Sequence, residues 1–205
     1  MPDKATVESF APFEGLSLDA IRLVASAADA ALALTTLSQQ RVVGFDTESR
    51  PTFHRHQRSE GPHVVQFATL DTAFIFQTSI RETSEALVAL LANPSLVKAG
   101  FGLANDLRHL HRKLNVTPAA ILDLNHVFHA HGHLNAIGAR GAIALLFHQR
   151  FVKSRHLTTS DWASQHLTDK QLLYAANDAY AAIRVYTALA AQGLIPTQDH
   201  AHQPV

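Results

Sequence analysis

Hydrophobic and polar positions along the chain switch between the period of a strand and that of a helix. Residues 21–25, 42–48, 64–69 and 73–77 read as strands. Only Leu70, Asp71 and Thr72 separate the last two, so they form a hairpin. Ser26 is an N-cap for a helix over residues 27–38. A helix over residues 84–91 stops at Asn93-Pro94, and "LVKAGF" from Leu96 is another strand. Leu103, Leu107, Leu110 and Leu114 recur at i, i+4, i+7 and i+11, which is one helix face. "AAILDL" from Ala119 reads as a strand and residues 141–147 as a helix. Residues 169–190 read as a long helix opened by a T-x-x-Q capping box at Thr168 and Gln171. Residues 1–16 and 193–205 are expected as tails around one domain, 17–192, and the polar run "FHRHQRSEGP" over residues 53–62 as a loop. Hairpin-like strands followed by alternating helix and strand predict an α/β fold. Its sheet is mixed, antiparallel in the first three strands and then parallel, and is flanked by helices.

Composition narrows this little, and charge narrows it more. A chain of 205 residues with 47% hydrophobic positions builds a core without staples and is not a disordered chain. It has no cysteine, which removes disulfides and thiolate metal sites and suits a reducing, cytoplasmic setting. The start "MPDKATVESFAPFEG" lacks a basic stretch followed by an apolar run, and Arg22 and Asp29 interrupt residues 21–37, so neither a signal peptide nor a membrane span is expected. Lys+Arg and Asp+Glu both number 17, so any attraction for a polyanion must come from local patches or bound cations.

Acids sit beside apolar framework in three places. In "VVGFDTESRPTF", Asp46 and Glu48 stand at i and i+2 of a strand and face one spot. Two carboxylates held that close call for a positive partner. In "GFGLANDLRHL", Asp106 borders the buried stripe of its helix. In "LLYAANDAYAA", Tyr174 and Asp178 lie four apart on one face of the long helix. Each has an ordinary reading, as a solvated strand end, a helix-dipole partner or a surface pair. Their order and spacing together carry more.

That order resembles the DEDD 3′–5′ exonucleases, in the tyrosine variant that includes ribonuclease D and the Werner-syndrome exonuclease domain. The likeness extends through "VVGFDTE", "VVQFAT", "VKAGFG" and "SDWASQHLTDKQLLYAANDAYAA", and spans about residues 21–190. It implies a ribonuclease H-like fold, a 3′ end of DNA or RNA as substrate, and Asp46, Glu48, Asp106, Tyr174 and Asp178 as active-site residues. It also implies two divalent cations, Mg²⁺ or Mn²⁺, which carboxylate-rich sites without cysteine suit. By the same resemblance, Asp46, Glu48 and Asp178 hold the metal nearer the attacking water, Asp46 bridges, Asp106 serves the second metal, and Tyr174 orients the water.

Weaker signals surround these. Arg50, Arg55 and Arg58, with His54 and His56, form a basic stretch that could touch phosphates, or a solvated loop. Lys153 and Arg155 precede the last helix, in a segment the family uses near substrate, and Trp162 beside them reads as core. Phe101 and Leu103 are candidates for a terminal base or for core packing. His126, His129, His131 and His133 invite a zinc reading but lack a familiar ligand spacing. Within the resemblance, the ribonuclease D branch acts on RNA and commonly carries extra helical domains. The short stretch after Ala190 tilts the expectation slightly toward the Werner-type branch and DNA. A non-catalytic binding module would keep the fold and lose acids, and the related oligonucleotidases carry histidine in place of Tyr174.

Overall fold

Strand Val42–Glu48 (β3) is the centre of the molecule, and the remaining elements are arranged around its two edges and two faces. The computed structural model describes residues 1–52 and 59–195. Before β3 come helix Lys4–Ser9 (α1), strand Ala11–Pro12 (β1), strand Ile21–Val24 (β2) and helix Ala27–Ser38 (α2). After it come strands Val64–Ala68 (β4) and Ala73–Gln77 (β5), helix Ser84–Ala92 (α3), strand Val97–Gly100 (β6), helix Ala104–Leu114 (α4) and strand Ile121–Asp123 (β7). Helices Leu124–Ala130 (α5) and Gly138–Phe147 (α6), strand Gln149–Arg150 (β8) and helices Arg155–Thr158 (α7) and Asp169–Ala191 (α8) complete the chain.

The main sheet runs β2-β5-β4-β3-β6-β7. β3, β4 and β5 are antiparallel, while β6 and β7 continue in parallel from β3. β2, first of these six in the chain, adds in parallel to the far edge of β5. One face of the sheet packs Val43, Phe45, Phe67 and Phe76 against α2, α3 and α4. The other face receives α8, five of whose eleven buried positions are alanine. A Cβ on Gly44 would stand 1.9 Å from the carbonyl oxygen of Ala179, so the helix backbone lies on β3 at a distance only glycine permits. The reciprocal Thr168/Gln171 capping box fixes where α8 begins, as its sequence implies. No described helix is long and apolar enough to cross a membrane.

Residues 1–16 are not a loose tail. Asp3 caps α1, β1 pairs in parallel with β8, and the N–H of Phe13 donates to Arg150 O at 3.0 Å. Phe13 meets Phe151 edge-on at 5.4 Å, and Leu16 N–H donates to Asn177 Oδ1 at 2.7 Å. The contacts of this segment with β8 and α8 are long-range, and local periodicity does not report them. α5 is a second departure. Leu124, Val127 and Phe128 bury one face of a helix in a stretch whose histidines are its most visible feature in the sequence. α6 also begins three residues before its expected start at Gly141.

Candidate active site

The C-terminal end of β3 puts Asp46 and Glu48 on the face that α8 covers. Asp178 enters from α8, and the three residues each bring a carboxylate oxygen to within 4.8 Å of the others. Asp178 is 4% exposed, while Asp46 and Glu48 are half-buried. Burial, then the charge of Asp178, pushes the Asp46 carboxyl up to about 8. Burial, then Asp46 and Asp178, pushes Glu48 up to about 9. Asp178 rises only to about 6, because burial is opposed by Lys153.

Asp106 stands one step away. Its Oδ1 accepts from Thr47 Oγ1 at 2.6 Å, and burial raises its pKa against that bond. The start of α4 is held by Asp123, whose carboxylate accepts from the N–H groups of Gly102 at 3.1 Å and Leu103 at 3.0 Å. That clamp sets where Asp106 projects. Tyr174 precedes Asp178 by one helical turn. Its hydroxyl shares a hydrogen bond of 3.0 Å with Thr158, and its ring leans on buried Trp162 at 5.8 Å. Burial, then Asp178, raises the Tyr174 pKa.

Lys153 joins the acids. Its Nζ donates to Asp178 Oδ2 at 2.7 Å and lies over the rings of Phe151 and Tyr174. Burial works against its charge, but Asp178 and Asp46 outweigh that and raise its pKa. Arg140 holds the Lys153 carbonyl at 2.7 Å. Three of the five acid-and-tyrosine positions thus converge directly, Tyr174 lies one helical turn from Asp178, and Asp106 is tied to the same strand end through Thr47. Thr47, Asp123, Thr158 and Arg140 carry no sequence signal of their own, because each acts on a residue distant in the chain.

The weaker expectations fare unevenly. Leu103 is 1% exposed in the core under α4, so its side chain offers no surface to a base. Phe101 packs at the edge of the cluster that holds Leu124 and Ala142. Arg50 pairs with Glu60 at 3.4 Å, and Arg155 is exposed on α7. Arg55 and Arg58, with His54 and His56, lie outside the described residues. His131 Nδ1 meets its own helix at Val127 O, and His133 lies edge-on to Phe128. Among the described residues the group suited to a metal is Asp46, Glu48 and Asp178, not the histidines.

Three crowded carboxylates that favour protonation, with an all-oxygen donor set, fit a hard divalent cation. Lys153 then competes for the same charge. Lys153→Met removes the ammonium and keeps much of the packing. At pH 8 without metal, a fall in Tm of at least roughly 5 °C is expected, because breaking a buried pair costs about 3–5 kcal/mol and a chain of this size moves about 2–4 °C per kcal/mol. The loss shrinks toward pH 5, where Asp178 takes a proton. Mn²⁺ binding measured by calorimetry should tighten about fivefold or more, since one unit charge at ~4 Å is worth about 1–4 kcal/mol. Unchanged or weaker Mn²⁺ binding would rule out the competition.

A family model described as 3′-5′ exonuclease matches residues 21–193. The bifunctional 3′-5′ exonuclease/ATP-dependent helicase WRN of Mus musculus is 30% identical over 157 residues, covering 75% of this chain and 11% of that protein. The chain therefore spans about a tenth of that relative's length. The Aedes aegypti Nibbler EXO domain superposes with a TM-score of 0.73 at 23% identity, covering 88% of this chain and 92% of that one. The Trypanosoma brucei RNase D in complex with RNA U12 superposes with a TM-score of 0.73 at 18% identity, covering 96% and 66%.

Proposed function

The chain belongs to the 3′–5′ exonuclease family, and from that premise we propose that it removes nucleoside 5′-monophosphates one at a time from the 3′ end of a single or frayed strand by a two-metal hydrolysis. Its mixed sheet flanked by helices is ribonuclease H-like. The proposal includes DNA as a substrate at least as good as RNA, and a cytoplasmic site of action. The observation that carries it is the convergence of Asp46, Glu48 and Asp178 at the end of β3, with Tyr174 one turn away.

Asp46, Glu48 and Asp178 would hold one Mg²⁺ or Mn²⁺, and Asp46 with Asp106 a second. When bound, such a pair supplies an activated water and charge stabilisation for the oxygens entering and leaving phosphorus. The chain's own residues do the rest. Tyr174 orients the attacking water through its hydroxyl, which Thr158 holds in place. Thr47 holds the Asp106 carboxylate at the end of β3. Lys153, which pairs with Asp178, would stand beside the phosphate. Water adds to the terminal phosphorus, the 3′ oxygen of the penultimate nucleotide leaves with a proton, and the nucleoside 5′-monophosphate departs.

RNA has support as the substrate because the T. brucei RNase D of similar fold is a complex with RNA U12. DNA has support from the resemblance to the Werner-type exonuclease domain, and a relative at 30% identity is named a bifunctional 3′-5′ exonuclease/ATP-dependent helicase. Matched DNA and RNA strands labelled at either end separate the readings. The expected result is immediate release of a 3′ label as mononucleotide and stepwise shortening of a 5′-labelled strand, with Mg²⁺ or Mn²⁺ and not with EDTA. Internal fragments, or cleavage in EDTA, would overturn the reading. Cleavage of RNA alone would move the protein to the ribonuclease D branch.

A further inference from the structure

The N-terminal segment that packs as α1 and β1 lies outside the span matched by the family model, yet residues at its end line a cavity shared with Asp178. A cavity of about 340 Å³ opens beside Tyr174 and Asp178, with Pro12, Phe13 and Gly15 forming its opposite wall. That volume is within the range of small-ligand sites. Its apolar surface comes from Phe13, Phe151, Leu157 and Leu173, and its charged groups are Arg150, Lys153 and Lys170 with the Asp178 carboxylate that pairs with Lys153. Aromatic and aliphatic walls with cations along one side suit a nucleotide unit, with the base against the rings and the phosphate near the cations.

The wall is built to stay. Phe13 is fixed by its bond to Arg150, its edge contact with Phe151 at 5.4 Å and its approach to Tyr180 at 5.9 Å. Gly15 lies so close to Asn177 that a Cβ would stand 2.1 Å from Asn177 Oδ1. Asn177 sits beside Asp178, so α8 anchors the wall and the carboxylate together. A second cavity, of about 410 Å³, adjoins the first along Arg150–Lys153 and is bounded by Lys4 of α1 and Arg140 of α6. A terminal nucleotide needs one cavity, whereas a strand leading away needs successive ones.

The geometry points to a nucleotide subsite, walled by the N-terminal segment, for the unit immediately upstream of the scissile phosphate. This rests on the exonuclease reading. Its consequence is that residues beyond the family's matched span decide how tightly the strand is held.

The test compares two substrates. A single-stranded oligonucleotide fills the subsite. The p-nitrophenyl ester of thymidine 5′-monophosphate carries one nucleotide and has no upstream unit. With Phe13→Ala, the ratio of kcat/KM for the oligonucleotide to that for the ester should fall roughly tenfold, within the range for stacking of one base. The fall should lie in the oligonucleotide's KM. Lys170→Glu alters an exposed side chain in the first turn of α8, where an acid suits the helix N-terminus. It should lower the same ratio and flatten the salt dependence of the oligonucleotide's KM by about one counterion. Unchanged ratios in both variants, or equal losses on both substrates, would overturn the subsite. Failure of the unaltered protein to hydrolyse either substrate would overturn the exonuclease reading and the subsite with it.

Discussion

Asp46→Asn should reduce kcat/KM on a 3′ end by at least about 10³-fold, the scale of losing a preorganised electrostatic group at a reacting centre. It should also raise the melting temperature of the metal-free protein at pH 8. The two effects have one origin. Asp46 is held beside Glu48 and Asp178, where its charge is costly without a cation and needed with one. A substitution that merely damaged the fold would lower both activity and Tm. If Asp46→Asn retained near-normal turnover, or melted lower than the unaltered protein in EDTA at pH 8, the site would be wrongly drawn.

The direction with pH follows from the raised carboxyls. The Asp46 and Glu48 groups ionise near 4 when unfolded and only near about 8 and about 9 in the folded chain. The folded state therefore binds more protons between those limits, and stability falls as pH rises through the window. Below about pH 4 both states are protonated and stability no longer changes with pH through these groups. The metal-free protein should thus lose Tm steadily between pH 5 and pH 9, and Asp46→Asn should flatten that slope. Mn²⁺ at about 100 times its Kd contributes about 2.7 kcal/mol, or roughly 5–10 °C for a chain this size, and its effect should be largest at the alkaline end. A Tm in EDTA that rises across this window would contradict the crowding of the acids.

Much of the fold and of the acid cluster is legible in the sequence, for identifiable physical reasons. β3 announces itself because Val43 and Phe45 face one layer of core while Asp46 and Glu48 close the strand, and a one-residue slip would bury the acids on the wrong side. The capping box of α8 is local chemistry, so Thr168 and Gln171 read directly. α5 is masked by His126, His129 and His131, whereas its fold rests on Leu124, Val127 and Phe128. β1 is invisible because a two-residue strand has no period, and its partner β8 lies far along the chain. Lys153 reads as part of a segment near substrate, but its pairing with Asp178, like the bond of Arg140 to the Lys153 carbonyl, joins residues far apart in the chain, which no spacing encodes. Leu103 is as good a candidate for a ligand as for the core on sequence grounds, and it fills the core, since Gly100 brings it against the end of β6. Composition helps with the metal only by exclusion: a chain without cysteine leaves oxygen and imidazole donors, and the fold chooses the oxygens.

Tyr174→Phe isolates the last role, because it deletes one hydroxyl and keeps the ring that Trp162 supports. Tyr174 and Asp178 share a face of α8, yet they differ in what they can hold. A carboxylate that holds the Lys153 ammonium can hold a metal cation in its place, whereas a phenol whose pKa is raised stays protonated and acts as a hydrogen-bond donor or acceptor. Metal affinity should therefore be nearly unchanged in the variant, while single-turnover cleavage slows by on the order of 10²–10⁴-fold, the range for one positioned acid–base or hydrogen-bonding group. Thr158 supplies an internal control. Its hydroxyl holds that of Tyr174, so Thr158→Val should slow cleavage in the same direction by a smaller factor, and should add little once Tyr174 is phenylalanine. Calorimetry of Mn²⁺ binding beside rapid-quench cleavage measures both quantities. Wild-type rates in Tyr174→Phe, or a defect confined to Mn²⁺ affinity, would remove the tyrosine from the reacting water.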